Sequence, residues 1–463
     1  MPAIKKPNFQ DLARQFITAT IQGSRSFGSD RLIIPGEHML FHENEQLFYA
    51  YDEETGAWAA IPLGDKDTGP MARLLETFLI ENYPALNITT QMIGELRNAV
   101  VRAFPRRYDE KRHGLPNFTA FRDGLYNWQT FEFSNHDKEK MAFHSLPLNF
   151  PTDVTPTPAF DSFFQKAFPE DQAARDFIPE MIGYYLIPNV REPAAFYLVG
   201  KARTGKSTFL DFLADDIVGE SFTCAFSLEA LTTDKFVPAE LAGRRLNVQD
   251  EDESEFINAD KLKALISQRR IDAQRKFGNP FSFQPRCKFI FGSNQMPNFK
   301  QVDDGLKRRL YFLEFNHPLT KAEQDKAMPE KLRAELPGIV YKVVAAARGF
   351  MERNQEFVLP ESVSTLGDKF ALESDPVLLF FAEMYNIHQN PVSAPGTPNT
   401  FEWSTSAGMY DQYVNWCQTN RKIPKSSPRF YKSLENIPGL KTERDGNGTR
   451  WRSCGLRIIK NDF

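Results

Sequence analysis

Cysteine and long apolar runs are both scarce in this chain of 463 residues. Its four cysteines, Cys224, Cys287, Cys417 and Cys454, lie far apart and show none of the paired spacings of a zinc site or a disulfide framework. No apolar run approaches the roughly 20 residues that cross a bilayer. The first residues also lack the apolar core of a signal peptide. We therefore expect free thiols, no membrane contact and a cytoplasmic protein.

The chain also lacks an excess of charge of one sign, because the net charge is only −4 with 25% charged residues. Binding to nucleic acid would therefore have to come from local clusters of cations. A carboxylate cluster suited to a two-metal nucleotidyl transferase is missing too. The nearest run, Asp-Glu-Glu at residues 52–54, stands in a polar turn, where runs of charge are usually solvated. We expect no primer synthesis by this chain alone.

A glycine-rich motif follows a short apolar run near the middle of the chain. Residues 196–199 predict a buried strand, and residues 206–213 predict the start of an amphipathic helix. Between them stands Gly-x-x-x-x-Gly-Lys-Ser, whose glycines let backbone N–H groups close around phosphate oxygens. Lys206 would reach the outer phosphates, and the Ser207 hydroxyl would hold Mg²⁺. The motif predicts that ATP·Mg²⁺ contacts Gly200, Lys201, Ala202, Arg203, Thr204, Gly205, Lys206, Ser207 and Thr208.

Two further extended segments end in polar side chains. The first, residues 245–249, is followed by Asp250 and Glu251, which we assign to the metal and to the base that activates water. An acidic surface loop is the alternative for this pair. The second, residues 288–293, ends at Asn294, whose side chain could touch the γ-phosphate or its water.

Paired arginines, Arg308 and Arg309, precede a last apolar segment at residues 310–315. Arginine often completes phosphoryl-transfer sites, and a neighbouring subunit can supply it. A surface salt bridge is the alternative. All these motifs fall between positions 200 and 309, which predicts one compact ATPase unit.

A basic and aromatic stretch lies between the acidic pair and Asn294. Residues 269–283 predict a hairpin with Arg275, Lys276 and Phe277 beside a Gly-Asn-Pro turn. Cations around an aromatic ring suit a loop that holds a phosphate backbone and stacks on a base. The alternative is a surface hairpin whose Phe277 packs inward.

In order and spacing, these motifs resemble a superfamily three helicase, and in detail the helicase part of the primase-helicases of poxviruses, phages and plasmid-like elements. The likeness extends over residues 40–460. Four further segments also resemble the family, namely the end of its pre-helicase domain, the helix before the phosphate loop, the lead into the acidic motif and the helix after the ATPase core. They are residues 119–128, 180–186, 241–246 and 335–340.

The resemblance implies a role for each candidate residue at the nucleotide. Lys206 and Ser207 would bind ATP·Mg²⁺, and Asp250 and Glu251 would form the acidic motif. Asn294 would be the polar sensor of the γ-phosphate.

The resemblance also implies contacts beyond the chain's own nucleotide. Arg308 or Arg309 would act on the ATP of the next subunit in a ring. Lys276 with Phe277 would grip single-stranded DNA in a central channel. The family usually shows Gly-Asp where this chain has Ser-Gln-Arg-Arg at residues 267–270, a departure at the base of that loop. Too few residues precede position 40 for the polymerising domain of many relatives.

Two proline- and threonine-containing stretches, residues 150–158 and 390–402, predict linkers. We expect an α/β P-loop, AAA+-like core between an α+β N-terminal domain and a winged-helix C-terminal domain. The predicted domains are an α+β pre-helicase domain at 1–150, the ATPase core at 159–350, a helical connection at 351–390 and the winged-helix-like domain at 403–463.

The C-terminal segment has the strongest local charge. Residues 421–460 hold eleven lysines and arginines against three carboxylates, a net charge of +8. Helices at 408–417 and 427–437 followed by a hairpin at 440–459 predict the winged-helix pattern. We expect DNA contacts from Arg429, Lys432 and Arg450. A solvated basic face used for oligomer contacts is the alternative.

The sequence thus predicts an ATP-dependent DNA helicase that acts in the replication of a phage, a phage satellite or a plasmid-like element. It would form a homo-hexameric ring in the host cytoplasm, bind single-stranded and forked DNA, and work with a separate primase. Two other classes of protein stay open. One is a non-unwinding DNA-binding ATPase of the initiator or loader class, and the other is a regulatory module that only holds nucleotide.

Overall fold

The computed structural model describes residues 8–18, 38–61, 69–191, 193–251, 254, 257–275, 280–297, 299, 303–387, 404–420, 422, 424–434, 440–445, 448–453 and 456–458. The chain forms two compact units. The first unit is Met1–Pro297 with Arg308–Ser364, and the second is Asn298–Lys307 with Thr365–Phe463. The first unit therefore contains the predicted pre-helicase region together with the predicted ATPase core, whereas the four domain boundaries stay predictions.

The helices in the described part of the chain are α1 (Phe9–Thr18), α2 (Pro70–Asn82), α3 (Thr90–Ala103), α4 (Glu110–His113), α5 (Pro158–Ala167), α6 (Gln172–Leu186), α7 (Lys206–Asp211), α8 (Leu228–Thr233), α9 (Ala259–Ile266), α10 (Asp304–Lys307), α11 (Met328–Ala334), α12 (Leu336–Glu352), α13 (Glu361–Ser374), α14 (Pro376–Met384), α15 (Ser406–Thr419) and α16 (Ser427–Leu434). A π-helical segment, Phe212–Val218, continues α7.

The strands are β1 (Met39–His42), β2 (Leu47–Asp52), β3 (Ala57–Ile61), β4 (Arg107–Tyr108), β5 (Phe118–Phe121), β6 (Gly124–Asn127), β7 (Phe133–Ser134), β8 (Ala195–Val199), β9 (Thr223–Cys224), β10 (Leu246–Gln249), β11 (Ile271–Gln274), β12 (Pro280–Phe283), β13 (Lys288–Ser293), β14 (Leu310–Glu314), β15 (Tyr385–Ile387), β16 (Ser404–Thr405), β17 (Leu440–Asp445), β18 (Gly448–Ser453) and β19 (Leu456–Ile458).

The N-terminal part of the first unit is a four-stranded sheet in the order β3-β2-β1-β4. Its β2–β3 hairpin closes with Asp52 opposite Ala57. Helices α1, α2 and α3 bury their apolar faces in a core shared with this sheet. The side-chain oxygen of Thr89 accepts from the Met92 N–H and so begins α3.

The centre of the first unit is a five-stranded sheet in the order β14-β8-β13-β10-β9, and all its pairings are parallel. Strands β8 and β13 are buried along their whole length, as expected for a parallel sheet covered on both faces. The chain is therefore a mixed α/β protein. The connections that follow β8 and β13 run in opposite directions across the sheet. In parallel sheets, ligands bind beyond the carboxyl ends of strands at such a point.

Helices α6 and α12 pack closely against each other beside the sheet. A Cβ atom on Gly183 of α6 would lie 2.6 Å from the Cβ atom of Ala347 on α12, so only glycine permits this approach. Phenylalanines fill the surrounding core, and each fully buried ring contributes roughly 1.5–3 kcal/mol. Phe164 from α5 packs edge-on against Phe209 behind the glycine-rich loop.

A buried ion pair joins the N-terminal sheet to the parallel sheet. Glu45, between β1 and β2, lies 3.0 Å from Arg245, the residue before β10. Burial alone would raise the pKa of Glu45, but the Arg245 guanidinium overcomes it and brings the pKa to about 2. Tyr49 and the N–H group of Gly243 also donate to the same carboxylate. This carboxylate therefore stays ionised although it is fully buried.

The second unit contains α14, α15 and α16 around an apolar core that includes Phe380, Tyr413 and Phe430. The strands form a sheet in the order β16-β18-β17, and β15 pairs with β19. The succession of two helices and the β17–β18 hairpin confirms the predicted order of elements, whereas the winged-helix assignment stays a prediction. None of the helices in the described residues has the length and apolar character to span a membrane.

A short segment from the middle of the chain belongs to the second unit. This segment, Asn298–Lys307, separates β13 from β14 in sequence. The buried Phe299 lies edge-on to Phe370 at 5.7 Å, and Lys307 forms a 2.6 Å ion pair with Asp368. The chain therefore leaves the first unit after β13 and returns to it at Arg308.

Two buried histidines should make the first unit sensitive to acid. Burial lowers the pKa of His42 and of His144 from 6.5 to about 4. Each ring therefore binds its proton less tightly in the folded protein than in the unfolded chain. The stability that each contributes is complete above pH 6.5 and is lost as the pH falls towards 4, at a cost of up to roughly 3 kcal/mol per ring.

We expect the free energy of unfolding of the first unit to be lower at about pH 5 than at about pH 7. Urea denaturation read out by hydrogen exchange of first-unit amides measures it. A His144→Gln variant should lose less stability over this interval, because glutamine does not titrate there. Its amide can still donate to the Val218 carbonyl, which lies 3.0 Å from His144 Nε2. Equal stability at the two pH values would contradict the expectation.

Candidate nucleotide-binding site

The predicted phosphate-binding loop lies between β8 and α7, at the carboxyl end of the parallel sheet. A Cβ atom on Gly200 would lie 2.1 Å from the backbone oxygen of Phe315, so a larger residue cannot stand there. Gly205 has a φ angle of +91°, and its backbone lies against the Phe163 ring. Arg203 also has a positive φ angle, +67°. These constraints hold the backbone of the loop in a tightly curved conformation.

The other predicted nucleotide contacts lie in and beside this curved loop. The buried Thr204 hydroxyl donates to the Lys201 carbonyl at 3.0 Å and closes the loop on itself. The exposed residues of the set are Lys201, Ala202, Arg203 and Ser207, and Thr208 is half-buried. Ser207 is the second residue of α7, and the π-helical segment extends this helix at its other end. Because the helix begins directly after the loop, the backbone N–H groups of its first turn point towards the loop.

Lys206 places its ammonium group inside the loop. Its Nζ atom donates to the carbonyl oxygens of Gly200 and Lys201, at 2.5 and 2.9 Å. Burial lowers the pKa of Lys206, and the nearby carboxylates of Asp250 and Glu251 act in the opposite direction. The cation is therefore partly stripped of water and held by carbonyl groups that a phosphate oxygen could replace.

Asn294 meets Lys206 across the sheet although the two lie far apart in sequence. The register pairs Val199, the last residue of β8, with Ser293, the last residue of β13. The residues that follow these strands are therefore neighbours, and Lys206 Nζ donates to Asn294 Oδ1 at 3.3 Å. The structure therefore brings the two side chains together at the carboxyl ends of β8 and β13, and the role of Asn294 at the γ-phosphate stays a prediction.

Asp250 lies above the backbone of β13. The register pairs Gln249 with Phe291, which brings the next residue of β10 level with Gly292. A Cβ atom on Gly292 would lie only 2.7 Å from Asp250 Oδ1. Gly292 therefore leaves the space that the carboxylate occupies. Sequence reasoning missed this glycine, although an isolated glycine inside a strand pattern indicates a close approach.

Glu251 is exposed and has a φ angle of +53°, which is unusual for a residue with a side chain. Its backbone N–H donates to Asp250 Oδ1 at 2.9 Å. Such backbone strain costs about 1–3 kcal/mol and is concentrated at functional sites. The strained residue thus directly follows Asp250 and binds its carboxylate through the backbone.

A third carboxylate, Asp211 on α7, lies near Asp250. Burial raises the pKa of Asp211, and the negative charges of Asp215 and Asp250 raise it further. Carboxylates that repel one another in this way would be stabilised by a divalent cation. Sequence reasoning missed Asp211 because the helical spacing marks it only as a polar position.

These observations test whether the loop fits ATP·Mg²⁺. The loop offers backbone N–H groups, the Ser207 hydroxyl and a partly desolvated ammonium group, whereas Asp211 and Asp250 offer carboxylate oxygens for a hard cation. The donor set fits the group. Lys206 and the loop would hold the phosphates, and Ser207 and Asp250 would hold the metal.

Arg308 and Arg309 lie at the opposite end of the same sheet. β14 runs parallel to β8 with Leu310 opposite Ala195, so both arginines precede the amino ends of these strands. The length of a five-residue strand, about 16 Å, therefore separates them from their own loop. Arg308 is exposed, and Arg309 Nε donates to Ser267 Oγ at 2.8 Å. An arginine side chain is much shorter than that distance, so neither arginine reaches the loop of its own chain.

The predicted DNA-binding hairpin is present as β11 and β12. Lys276 and Phe277 lie outside the described residues. The Arg275 guanidinium stacks on Phe281 at 4.2 Å, and burial lowers its pKa to about 10. Its buried Nη2 atom has no hydrogen-bond partner among the residues that the structure describes. Arg275 thus packs against the hairpin directly after β11, and its contact with DNA stays a prediction.

The predicted C-terminal DNA contacts lie on two elements of the second unit. Arg429 and Lys432 are exposed on α16, whereas Phe430 and Leu434 of the same helix are buried. Arg450 is on β18, and its side chain is outside the described part of the chain. The face of α16 that carries the two cations is therefore open to solvent.

Two family models match parts of this chain. One, described as a family of unknown function (DUF5906), matches residues 198–309, which extend from the end of β8 to Arg309. The other, described as D5 N terminal like, matches residues 63–169. The first match covers the span that holds the glycine-rich loop, the acidic pair, Asn294 and the two arginines.

The chain is also similar to the protein named "Putative helicase L207/L206" of Acanthamoeba polyphaga mimivirus, with 25% identity over 178 residues. The match covers 37% of this chain and 18% of that relative, so the chain spans less than a fifth of the relative's length. The chain therefore contains a D5 N-terminal-like segment and is similar over part of its length to a putative helicase.

Among solved structures, the chain is similar to two apo structures of the C-terminal region of NrS-1. One has a TM-score of 0.47 at 13% identity, and the other has a TM-score of 0.46 at 12% identity. In both cases the match covers 90% of this chain and 96% of the other.

Substitution of Gly292 tests the placement of Asp250. A Gly292→Ala variant should lose ATP hydrolysis by about tenfold or more, because the new methyl group displaces the carboxylate. A phosphate-release assay with Mg²⁺ measures the loss, and circular dichroism checks the fold. Gly94→Ala on α3 is the matched control, because a Cβ atom there meets nothing within 4 Å. Unchanged turnover in Gly292→Ala would contradict the assignment of Asp250.

Proposed function

We propose that this protein is an ATP-dependent DNA helicase of superfamily three that works as a homo-hexameric ring in the replication of a phage, a phage satellite or a plasmid-like element. One observation supports the proposal most. The parallel sheet brings Lys206, Asn294 and Asp250 to one edge, from three segments that are distant in sequence.

Within one subunit, the chain's own residues bind and orient the triphosphate. The Lys206 ammonium exchanges its carbonyl partners for phosphate oxygens, and the loop N–H groups donate to the same phosphates. Mg²⁺, held by Ser207 and Asp250, neutralises phosphate charge when it is bound. The Glu251 carboxylate accepts the proton of the attacking water, and the Asn294 amide holds that water in line.

The remaining positive charge comes from a second subunit. Arg308 or Arg309, at the amino end of β14, extends towards the phosphates bound by the neighbour. Hydrolysis then depends on contact between subunits. A ring is the closed assembly in which every head-to-tail interface is complete.

Two basic surfaces would hold DNA. Lys276 and Phe277, which stand in sequence between β11 and β12, bind single-stranded DNA by charge and by stacking. Arg429 and Lys432 on α16, together with Arg450, bind the duplex arm of a fork through its phosphates. A separate primase would supply primers.

A Lys206→Ala variant tests the nucleotide site. We expect ATP hydrolysis to fall by about 100-fold or more and unwinding to disappear, because the phosphates lose their main cation. Phosphate release with and without single-stranded DNA measures the first effect, and strand displacement from a forked duplex measures the second. Lys342→Ala, which removes a lysine paired with Asp161 on the surface, is the control.

Three outcomes have different meanings for the proposal. Unwinding by Lys206→Ala would refute the mechanism. A wild-type protein that hydrolyses ATP on DNA but displaces no strand would instead be an initiator or loader ATPase. Nucleotide binding without any hydrolysis would leave only a regulatory module.

Charge reversal on α16 tests the C-terminal DNA surface. An Arg429→Glu/Lys432→Glu variant should bind duplex DNA about tenfold more weakly or worse, and the slope of log K against log salt should fall by about 1.8, the value for two lost phosphate contacts on a duplex. Fluorescence anisotropy at several salt concentrations measures both quantities. Lys331→Glu/Arg333→Glu on α11 is the charge-matched control. Equal salt slopes for the two variants would refute the α16 assignment.

A further inference from the structure

The turn after α9 binds two different arginines. Ser267 ends α9 with its N–H group 3.0 Å from the Lys263 carbonyl, and its hydroxyl accepts from Arg309 Nε at 2.8 Å. The next residue, Gln268, accepts from Arg286 Nη1 at 3.2 Å and donates to the Arg286 carbonyl at 3.3 Å. This turn is also where the chain departs from the family that it resembles.

A buried ion pair fixes the position of the turn. The Nε atom of Arg286 donates to Glu110 Oε1 at 2.9 Å, and its Nη2 atom donates to the other oxygen of the same carboxylate. Both side chains are less than 10% exposed. A bidentate arginine–carboxylate pair has little freedom of orientation. Because Gln268 bonds to both the guanidinium and the carbonyl of Arg286, the turn shares that rigidity.

The backbone of the turn is strained. Gln268 has a φ angle of +48° and is buried. Such a conformation costs about 1–3 kcal/mol and persists only where surrounding contacts determine it. The strain directs the chain so that Ser267 and Gln268 hold different partners, Arg309 and Arg286.

The two arginines before β14 differ in their surroundings. Arg309 is half-buried, its backbone oxygen accepts from the Ala195 N–H at 2.7 Å, and its side chain is bonded to Ser267. Arg308 is exposed. Arg309 is therefore anchored by its backbone to β8 and by its side chain to the end of α9.

We propose that Ser267 is a positioning residue for phosphoryl transfer in the neighbouring subunit. By holding Arg309 against α9, it fixes the direction in which the adjacent Arg308 extends from the subunit surface. Arg308 is then the arginine that reaches the neighbour's phosphates, and Arg309 is its anchor. This inference rests on the proposed function, because it requires hydrolysis between subunits.

The hydroxyl of Ser267 can be removed without leaving a void in the core. The turn lines a surface cavity of about 650 Å³, together with Glu110, Arg191, Gln284 and Arg286. A Ser267→Ala variant should therefore keep its fold and lose only the bond to Arg309. Ser267→Thr retains the hydroxyl, and Ser221→Ala, at an exposed position, is the matched control.

We expect Ser267→Ala to lower kcat for ATP hydrolysis about tenfold and to leave KM for ATP unchanged, because Arg308 acts on the transition state of a nucleotide that another subunit binds. Ser267→Thr should recover most of the loss. Arg309→Ala should lower kcat as much as Ser267→Ala does. The double variant Ser267→Ala/Arg309→Ala should be no slower than either single variant. Arg308→Ala should be much slower than both. A rise in KM with unchanged kcat, or additive losses in the double variant, would overturn the positioning role.

Mixed rings separate this inference from the proposed function. Lys206→Ala subunits cannot hydrolyse ATP but can lend their arginine. They should restore turnover to Arg308→Ala subunits, and the absence of that rescue would refute hydrolysis between subunits altogether.

Ser267→Ala subunits should likewise be rescued by Lys206→Ala subunits, but not by Lys206→Ala/Ser267→Ala subunits. Hydrolysis between subunits stands if Lys206→Ala subunits restore turnover to Arg308→Ala subunits. In that case the role of Ser267 is wrong if Ser267→Ala subunits are rescued by neither Lys206→Ala nor Lys206→Ala/Ser267→Ala subunits. It is also wrong if both kinds of subunit rescue them.

Discussion

The pairing of β13 with both β8 and β10 is the constraint on which the candidate site depends. It aligns the ends of three strands, so that the loop after β8, Asn294 and Asp250 share one edge. The absent side chain of Gly292 then lets the carboxylate lie over the middle strand. A slip of one residue would turn alternate side chains to the other face of the sheet and separate Lys206 from Asn294.

Buried charges secure the other edge of the same sheet. Arg245 precedes β10 and pairs with Glu45, and Arg286 stands two residues before β13 and pairs with Glu110. Both carboxylates come from the N-terminal part of the chain. A buried ion pair contributes little net stability because both charges lose their water, but removal of one partner is costly. These pairs therefore specify how the N-terminal sheet docks, which explains why it forms one unit with the parallel sheet.

The sequence predicted what depends on local spacing, and it missed what depends on contacts between distant segments. The glycine-rich loop, the parallel strands and the polar residues at their ends follow from short patterns, and the structure brings Lys206 and Asn294 together. The space at Gly292, the bond between Ser267 and Arg309, and the stacking of Arg275 on an aromatic ring are set by strand register and by packing. Residue type and spacing alone do not encode these contacts.

The membership of Asn298–Lys307 in the second unit has a consequence for dividing the protein. A chain cut after Ser364 would keep this segment but lose the partners of its buried residues. Phe299 would lose Phe370, and its ring would be left to water. Conversely, a fragment that begins at Thr365 would lack part of its own core. The two units are thus interleaved along the sequence, and no single cut yields two intact halves.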